Sequence, residues 1–344
     1  MQLKTVPENL LEWIALRMNR VPIPLLHGQI FPVVSKAVLV AADKGIFEVL
    51  RQGKNTADEI ANACQLRREP VNQLLQVLVS AGYLTFRDDS YQLSSMARRW
   101  MARSSPSDLT DLLIYNHRVV WKWMNHLETY LVTGKGVDYH PTFSIEEWEL
   151  YQKAMRAVAR MEVGEFARKC PVPAHATNLL DIGGAPGVHV KALIERYPAL
   201  KGHILDLPAA IGTLGDEKLA NVTYLKGDVL ETELPAKSFD LILLSSLAHH
   251  FNPEQNQAIA YKIASALRPG GIYIVNEFVN SEGKDLKNGL VGTSSNLFFG
   301  LTSTSGTWTI KQIQNWQLEA GLNPHRVIGY LGIPGRYQII ARKV

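Results

Sequence analysis

Cysteine is nearly absent: Cys64 and Cys170 are the only two in 344 residues, and neither sits in a CxxC pair or beside a histidine cluster. That excludes a disulfide framework and a cysteine-built zinc site, and no metal is expected. Charge of one sign is also scarce. Against 36 basic residues stand 32 acidic ones, for a net charge of +4, and no basic run exceeds Arg67-Arg68 or Arg98-Arg99. A dedicated nucleic-acid surface is therefore not expected. Low-complexity tracts and internal repeats are missing. No stretch reads as the roughly 18 uncharged apolar residues of a spanning helix, and Pro7, Glu8 and Glu12 interrupt the place where a signal peptide needs an apolar run. The expectation is a soluble cytoplasmic protein without a membrane partner.

What is present suffices for real cores: 46% of the residues are hydrophobic and 20% charged. The length favours two domains of unequal size. From Pro32 to Met101 the pattern is helical and then turns. VVSKAVLVAADKGIFEVL puts Val34, Val38 and Ala41 on one face, Thr56 and Glu59 form a capping box before ADEIANACQL, and EPVNQLLQVLVSAG closes at Gly82. YLTFRDDSYQLS then reads as two short strands around Arg87-Asp88-Asp89-Ser90. Three helices and a hairpin make a winged helix, here residues 1–106. Leu11, Ile14 and Met18, then Ile30, Phe31 and Val34, expose more apolar surface than so small a unit can cover, which predicts a homodimer. Residues 107–170, with Trp121, Trp123, Tyr130, Phe143, Trp148 and Tyr151, read as a helical connector packed on both domains rather than as an aromatic cofactor box, with a loop over residues 134–141.

Past Pro171 the composition changes to alternating strands and helices. NLLDIGG, GHILDL, VTYLKGDV, FDLILLSSLAHH and GIYIVNEF are short apolar runs, and PHRVIGYL with GRYQIIARKV read as a terminal hairpin. The fold class for residues 171–344 is α/β, a seven-stranded Rossmann-like sheet covered on both faces with one antiparallel strand. The first strand ends in Asp181-Ile182-Gly183-Gly184-Ala185-Pro186-Gly187. Glycines at a strand-to-helix turn let a ligand approach the backbone. The loop is neither GxGxxG nor GK[ST], so a dinucleotide or nucleotide phosphate is not indicated. Asp181 suits a cofactor with a cationic amino-acid end; Asp206, 25 residues on, ends the next strand where a carboxylate accepts both ribose hydroxyls, and Asp228 ends the strand after that. Together these acids describe a nucleoside without phosphate.

In order, LLDIGGAPG, HILDLPAAI, LKGDVL, SSLAHHFNPEQ and IVNEF resemble the class I S-adenosylmethionine-dependent methyltransferases. With the winged-helix half, nearly the whole chain resembles the small-molecule O-methyltransferases of the caffeic acid, hydroxyindole and bacterial polyketide-tailoring type. The resemblance implies a homodimer, S-adenosyl-L-methionine as cofactor and a small aromatic or polyketide-like hydroxylated acceptor. It implies that Gly183, Gly184 and Gly187 line the methionine part, that Asp206 holds the ribose, and that Asp228 and Val229 frame the adenine. Ala185-Pro186 stands where relatives have Gly-Thr, and Ser245 where many plant relatives carry a basic residue on the adenine side.

The resemblance also makes His249 the general base that takes the acceptor's proton, with Glu277 orienting it and His250 a structural neighbour; which of the two histidines is the base stays open. A phenol near pKa 10 is a poor nucleophile when protonated, which is the chemistry a base serves. The family's second flanking acid falls at Thr307, which admits a more acidic hydroxyl, a carbon or a nitrogen as acceptor. Met155, Asn296, Phe298 and Phe299 occupy places where relatives contact the acceptor. Two other readings compete. A winged-helix regulator would need cations on the helix carrying Asn72, Gln73 and Gln76, which has none beyond Arg68. A non-catalytic cofactor scaffold has no need of His249 and Glu277.

Overall fold

The computed structural model describes residues 6–281, 289–303 and 305–344, which fall into two compact units divided between Trp121 and Lys122. The stretch read as one connector is thus split: residues 107–121 belong to the first unit and 122–170 to the second.

The first unit is helical with a small hairpin. Its helix Phe31–Asp43 ends where Gly45 takes φ +74°, a left-handed conformation, and a separate helix Ile46–Arg51 follows. The single helix expected there is therefore two, because glycine reaches that φ at no steric cost. Thr56 and Glu59 form the expected capping box at the start of Ala57–Ala63, and Arg68–Ser80 follows. Strands β1 (Leu84–Arg87) and β2 (Ser90–Leu93) pair antiparallel, joined by Asp88 and Asp89 with φ of +49° and +55°, the backbone of a tight primed turn. Phe47, Ile60, Leu75, Leu78, Leu84 and Tyr91 fill the core.

The helical run Ile23–Asp43 corrects one expectation. With a mean hydropathy of 1.5 over a window and Lys36 as the only lysine, arginine or acid before Asp43, it is long and apolar enough to cross a membrane. Pro24 lies at the start of this run and Pro32 follows its π-helical turn Leu26–Ile30, and neither ends it. Val38, Ala41 and Ala42 belong to the core of the unit and Ala37 and Leu39 are buried; Leu25, Ile30, Phe31 and Val33 are exposed.

The second unit carries one seven-stranded sheet: β3 (Asn178–Ile182), β4 (Lys201–Asp206), β5 (Val222–Lys226), β6 (Phe239–Ser245), β7 (Leu267–Phe278), β8 (Leu322–Gly329) and β9 (Arg336–Lys343), in the order β5-β4-β3-β6-β7-β9-β8. Only β9 runs against its neighbours β7 and β8; the other pairings are parallel. Leu180, Ile242, Leu244, Val275 and Ile339 pack in one core layer, and Leu179, Leu241, Leu243, Ile274 and Ile340 in the other, as the period-2 alternation of a sheet covered on both faces demands. The order reverses at β3, so the carboxyl ends of β3, β4 and β6 open a crevice at the switch point.

Candidate active site

That crevice is a cavity of about 890 Å³. Its floor is the glycine loop. Gly183 and Gly187 have φ of +70° and +87°, and Gly187 leads directly into the helix Val188–Arg196. A Cβ on Gly184 would stand 2.5 Å from Cγ of Asp181, so that position admits no side chain while the acid stays. Asp181 itself is fully buried beneath the loop, neither carboxylate oxygen has a hydrogen-bond partner among the described residues, and it does not line the cavity. Burial lifts its pKa to about 7.

Asp206, at the end of β4, does border the cavity. Its Oδ2 accepts the Ala185 N–H at 3.0 Å and its Oδ1 the Leu207 N–H at 2.8 Å, which ties it to the glycine loop. Burial raises it to about 6 against the pull of those two donors. Asp228 and Val229, just past β5, line the same side, and Asp228 Oδ1 accepts the Leu230 N–H at 2.8 Å. The donor set therefore fits a nucleoside: one carboxylate for a ribose, an apolar wall with a second carboxylate beyond it, and, among the described residues, no cluster of cations for phosphates.

On the other side of the loop lies a buried polar network that the sequence reading missed. Arg336, the first residue of β9, is 2% exposed and forms an ion pair through Nε with Oε2 of Glu162, on the helix Ile145–Lys169. Its Nη2 donates to Glu162 Oε1 at 2.8 Å and to Ser246 Oγ at 2.7 Å, and reaches Ser245 Oγ at 3.3 Å. A cation thus does stand against Ser245, delivered from β9. Glu162 Oε1 also meets His189 Nε2 at 3.0 Å and accepts from Asn276 Nδ2 at 2.9 Å. Burial alone would raise Glu162; Arg336 and His189 outweigh it and hold the carboxyl at about 2. The signal for Glu162 was present: Trp148, Tyr151, Gln152, Met155, Ala159 and Glu162 all line the cavity at helical spacing, one face of a single helix. That face includes two of the aromatic residues assigned to plain packing.

The histidines sit in the turn Ala248–His250 beyond β6. His249 Nδ1 lies 2.9 Å from Glu277 Oε2, with both residues buried, as the resemblance implied. Burial works against the charge of Glu277, but His249 and Arg336 hold its pKa below the usual carboxylate value. His250, not His249, is on the cavity wall, and burial drives its pKa well down. The His249 ring stacks on Phe299, centroids 3.7 Å apart. Of the four expected acceptor contacts, Met155 lines the cavity. Asn296 instead accepts from the Thr307 N–H and Oγ1 at 2.9 and 3.1 Å, which fixes the loop after its helix, while Phe298 packs edge-on against Phe299; neither they nor Phe299 are among the lining residues. Residues 134–141 form the remaining wall, anchored where Val137 N–H donates to the Leu301 carbonyl at 2.6 Å and where a Cβ on Gly136 would strike the Ser303 carbonyl at 2.5 Å.

Residues 131–307 match the model of the O-methyltransferase domain, and residues 29–103 that of the O-methyltransferase dimerisation domain. The chain belongs to the O-methyltransferase family. It is 22% identical to 3-hydroxy-5-methyl-1-naphthoate 3-O-methyltransferase of Streptomyces sahachiroi, over 89% of this chain and 91% of the relative. It is 25% identical to the mitomycin biosynthesis 6-O-methyltransferase of Streptomyces lavendulae, over 70% and 73%. The structure of human N-acetylserotonin methyltransferase with S-adenosylmethionine superposes with a TM-score of 0.84 at 18% identity, covering 98% of this chain and 99% of that one. The family uses S-adenosylmethionine, and the protein is an S-adenosylmethionine-dependent methyltransferase.

Proposed function

We propose that the protein methylates a hydroxyl of a small aromatic or polyketide-like acceptor, with His249 as general base and Glu277 as the carboxylate that orients it. The observation that carries this reading is the buried His249–Glu277 pair at the carboxyl ends of β6 and β7, beside a cavity with Asp206 and Asp228 on its far side. Bound S-adenosylmethionine supplies an electrophilic methyl group. The protein's part is to hold the nucleoside through Asp206, Asp228 and Val229, to align the acceptor, and to take its proton. With Nδ1 facing Glu277, the other ring nitrogen, Nε2, is the one to receive it, and the carboxylate stabilises the imidazolium that results. The names of the relatives, all small-molecule O-methyltransferases above, support the acceptor class. Tritiated methyl transfer to a panel of phenols, quinols, flavonoids and hydroxylated polyketides tests it; label recovered only on carbon or nitrogen would overturn the hydroxyl assignment.

The dimerisation domain supports a homodimer in which the exposed residues Leu11, Ile14, Leu25, Ile30 and Phe31 meet a second copy. Light scattering of the intact chain at micromolar concentration should give twice 38.4 kDa, and a chain lacking residues 1–30 should give monomer or aggregate. A soluble monomer of the intact chain would contradict the assembly.

A further inference from the structure

Resting on the proposed acceptor site beside His249, the aromatic wall of the cavity decides how an acceptor is turned. The loop over residues 134–141 brings Tyr139 and His140 to that wall, and both are set among rings. Tyr139 stacks on Trp123 with centroids 4.4 Å apart. His140 lies nearly parallel to Trp148, 5.4 Å between centroids and 11° between planes, with Phe143 and Tyr151 edge-on at 6.3 and 5.7 Å. His250 stands 5.1 Å from His140, and its ring is in turn 4.3 Å from that of His249. His140 thus borders the cavity on the side of the histidine turn, where the acceptor hydroxyl has to lie.

An imidazole is an unneeded expense in an aromatic box, because a phenyl ring packs as well and has no polar edge to desolvate. No described residue hydrogen-bonds the His140 ring, and its nitrogens are not among the partnerless atoms sealed in the interior, so they keep surface open to the cavity that His140 lines. Burial, against the pull of Asp138, brings its pKa down to about 4. Near neutral pH the ring is therefore uncharged, with one N–H donor and one bare nitrogen. It lacks the charge that would recruit a carboxylate and matches an uncharged oxygen, a hydroxyl or a carbonyl. The surrounding rings hold that edge in one orientation without using up its hydrogen bonds.

We propose that His140 hydrogen-bonds a second, uncharged oxygen on the acceptor, a hydroxyl or carbonyl beside the hydroxyl that is methylated, and so selects dioxygenated aromatics and turns the reacting oxygen toward His249. Trp148 is the positioning residue that fixes the imidazole. Because His140 and His249 both neighbour His250, one flat acceptor reaches both. An acceptor without the second oxygen leaves the edge of His140 desolvated and unpaired, which is how such a site discriminates.

Matched acceptors test this, with kcat/KM measured for methyl transfer from labelled S-adenosylmethionine: phenol against catechol and salicylaldehyde, and 2-naphthol against 2,3-dihydroxynaphthalene. In each set that it turns over, the wild type should favour the dioxygenated member by about five- to a hundredfold. His140→Phe keeps the stacking on Trp148 and loses the polar edge, and should bring that ratio to within about twofold of one. His140→Gln loses the ring but keeps a donor and an acceptor, and should retain part of the preference. A packing role predicts the reverse, with phenylalanine harmless and glutamine disruptive. His140→Leu guards against a phenylalanine variant that fails to fold and should show the same loss of ratio. Equal kcat/KM within the sets for the wild type, or a ratio unmoved in the folded phenylalanine and leucine variants, would overturn the assignment and leave the methyl-transfer reading standing. A wild type that turns over no member of either set would overturn the aromatic acceptor site and this role with it.

Discussion

Replacing Asp206 with asparagine keeps the shape of the side chain and removes its charge. In the wild type the two carboxylate oxygens take the Ala185 and Leu207 N–H groups at 3.0 and 2.8 Å, and both oxygens keep lone pairs for ribose hydroxyls. A hydrogen bond to a charged group contributes about 1.5–3 kcal/mol against about 1 for a neutral one. Losing the charge should therefore cost about 1–2 kcal/mol of cofactor affinity, roughly a five- to thirtyfold change. The pH dependence gives a second, sharper reading. Burial lifts this carboxyl to about 6, so the protonated form accumulates as the pH falls through 6. Ribose hydroxyls bind the charged form, hence wild-type affinity for S-adenosylhomocysteine should be level above pH 7 and decline below 6, by up to about tenfold per unit. The Asp206→Asn variant should be weaker at pH 8 and lack that decline. Isothermal titration between pH 5 and 8, with circular dichroism to confirm folding, measures both. A wild-type profile flat to pH 5, matched by an unchanged affinity in the variant, would refute the role of this carboxylate.

Three further outcomes concern the glycine loop, its buried acid and the 134–141 wall. Asp181, lifted to about 7 from 3.8, binds its proton more tightly folded than unfolded, so it takes stability away as the pH rises from about 4 to 7. Asp181→Asn should therefore match the wild type near pH 4 in urea melts and exceed it at pH 8 by up to about 4 kcal/mol; a variant less stable at pH 8 would show that the carboxylate has a partner. Gly184→Ala, whose Cβ would lie 2.5 Å from the Asp181 carboxyl, should lose about 1–3 kcal/mol, read from the same melts, and an unchanged midpoint would mean the loop relaxes freely. Gly136→Ala meets three backbone carbonyls and should detach the 134–141 wall, seen as faster hydrogen exchange at Val137.

The sheet and its site were legible to different depths. All seven strands announce themselves as apolar runs, and Asp206, Asp228 and the glycines could be placed because strand ends have a fixed relation to a switch-point crevice. The His249–Glu277 pair came from the family resemblance: His249 lies in the turn past β6, whose last residue, Ser245, pairs with Asn276, so strand register alone does not join it to Glu277. Arg336 was not legible. It opens an antiparallel strand whose partner Glu162 is 174 residues away on a helix, and nothing in local spacing links the two. The helix face from Trp148 to Glu162 carried a readable signal that aromatic content alone obscured. Asn296 and Phe299 failed to reach the cavity because the loop through Thr307 and the ring of His249 occupy them. The split at Gly45 depends on one residue's left-handed backbone, and glycine also occurs inside helices, as Gly164 does, so the sequence did not mark that break.

The most direct test of the chemistry compares His249→Gln with His250→Gln in single-turnover methyl transfer from labelled S-adenosylmethionine, with cofactor affinity measured in parallel. His249→Gln should lose roughly 10²–10⁴ in rate with affinity nearly unchanged, and Glu277→Gln should lose less. His250→Gln, altering the cavity wall, should shift acceptor KM more than the rate of the step. If His250→Gln abolishes turnover while His249→Gln retains it, the base is the histidine on the cavity wall and the His249–Glu277 assignment is wrong.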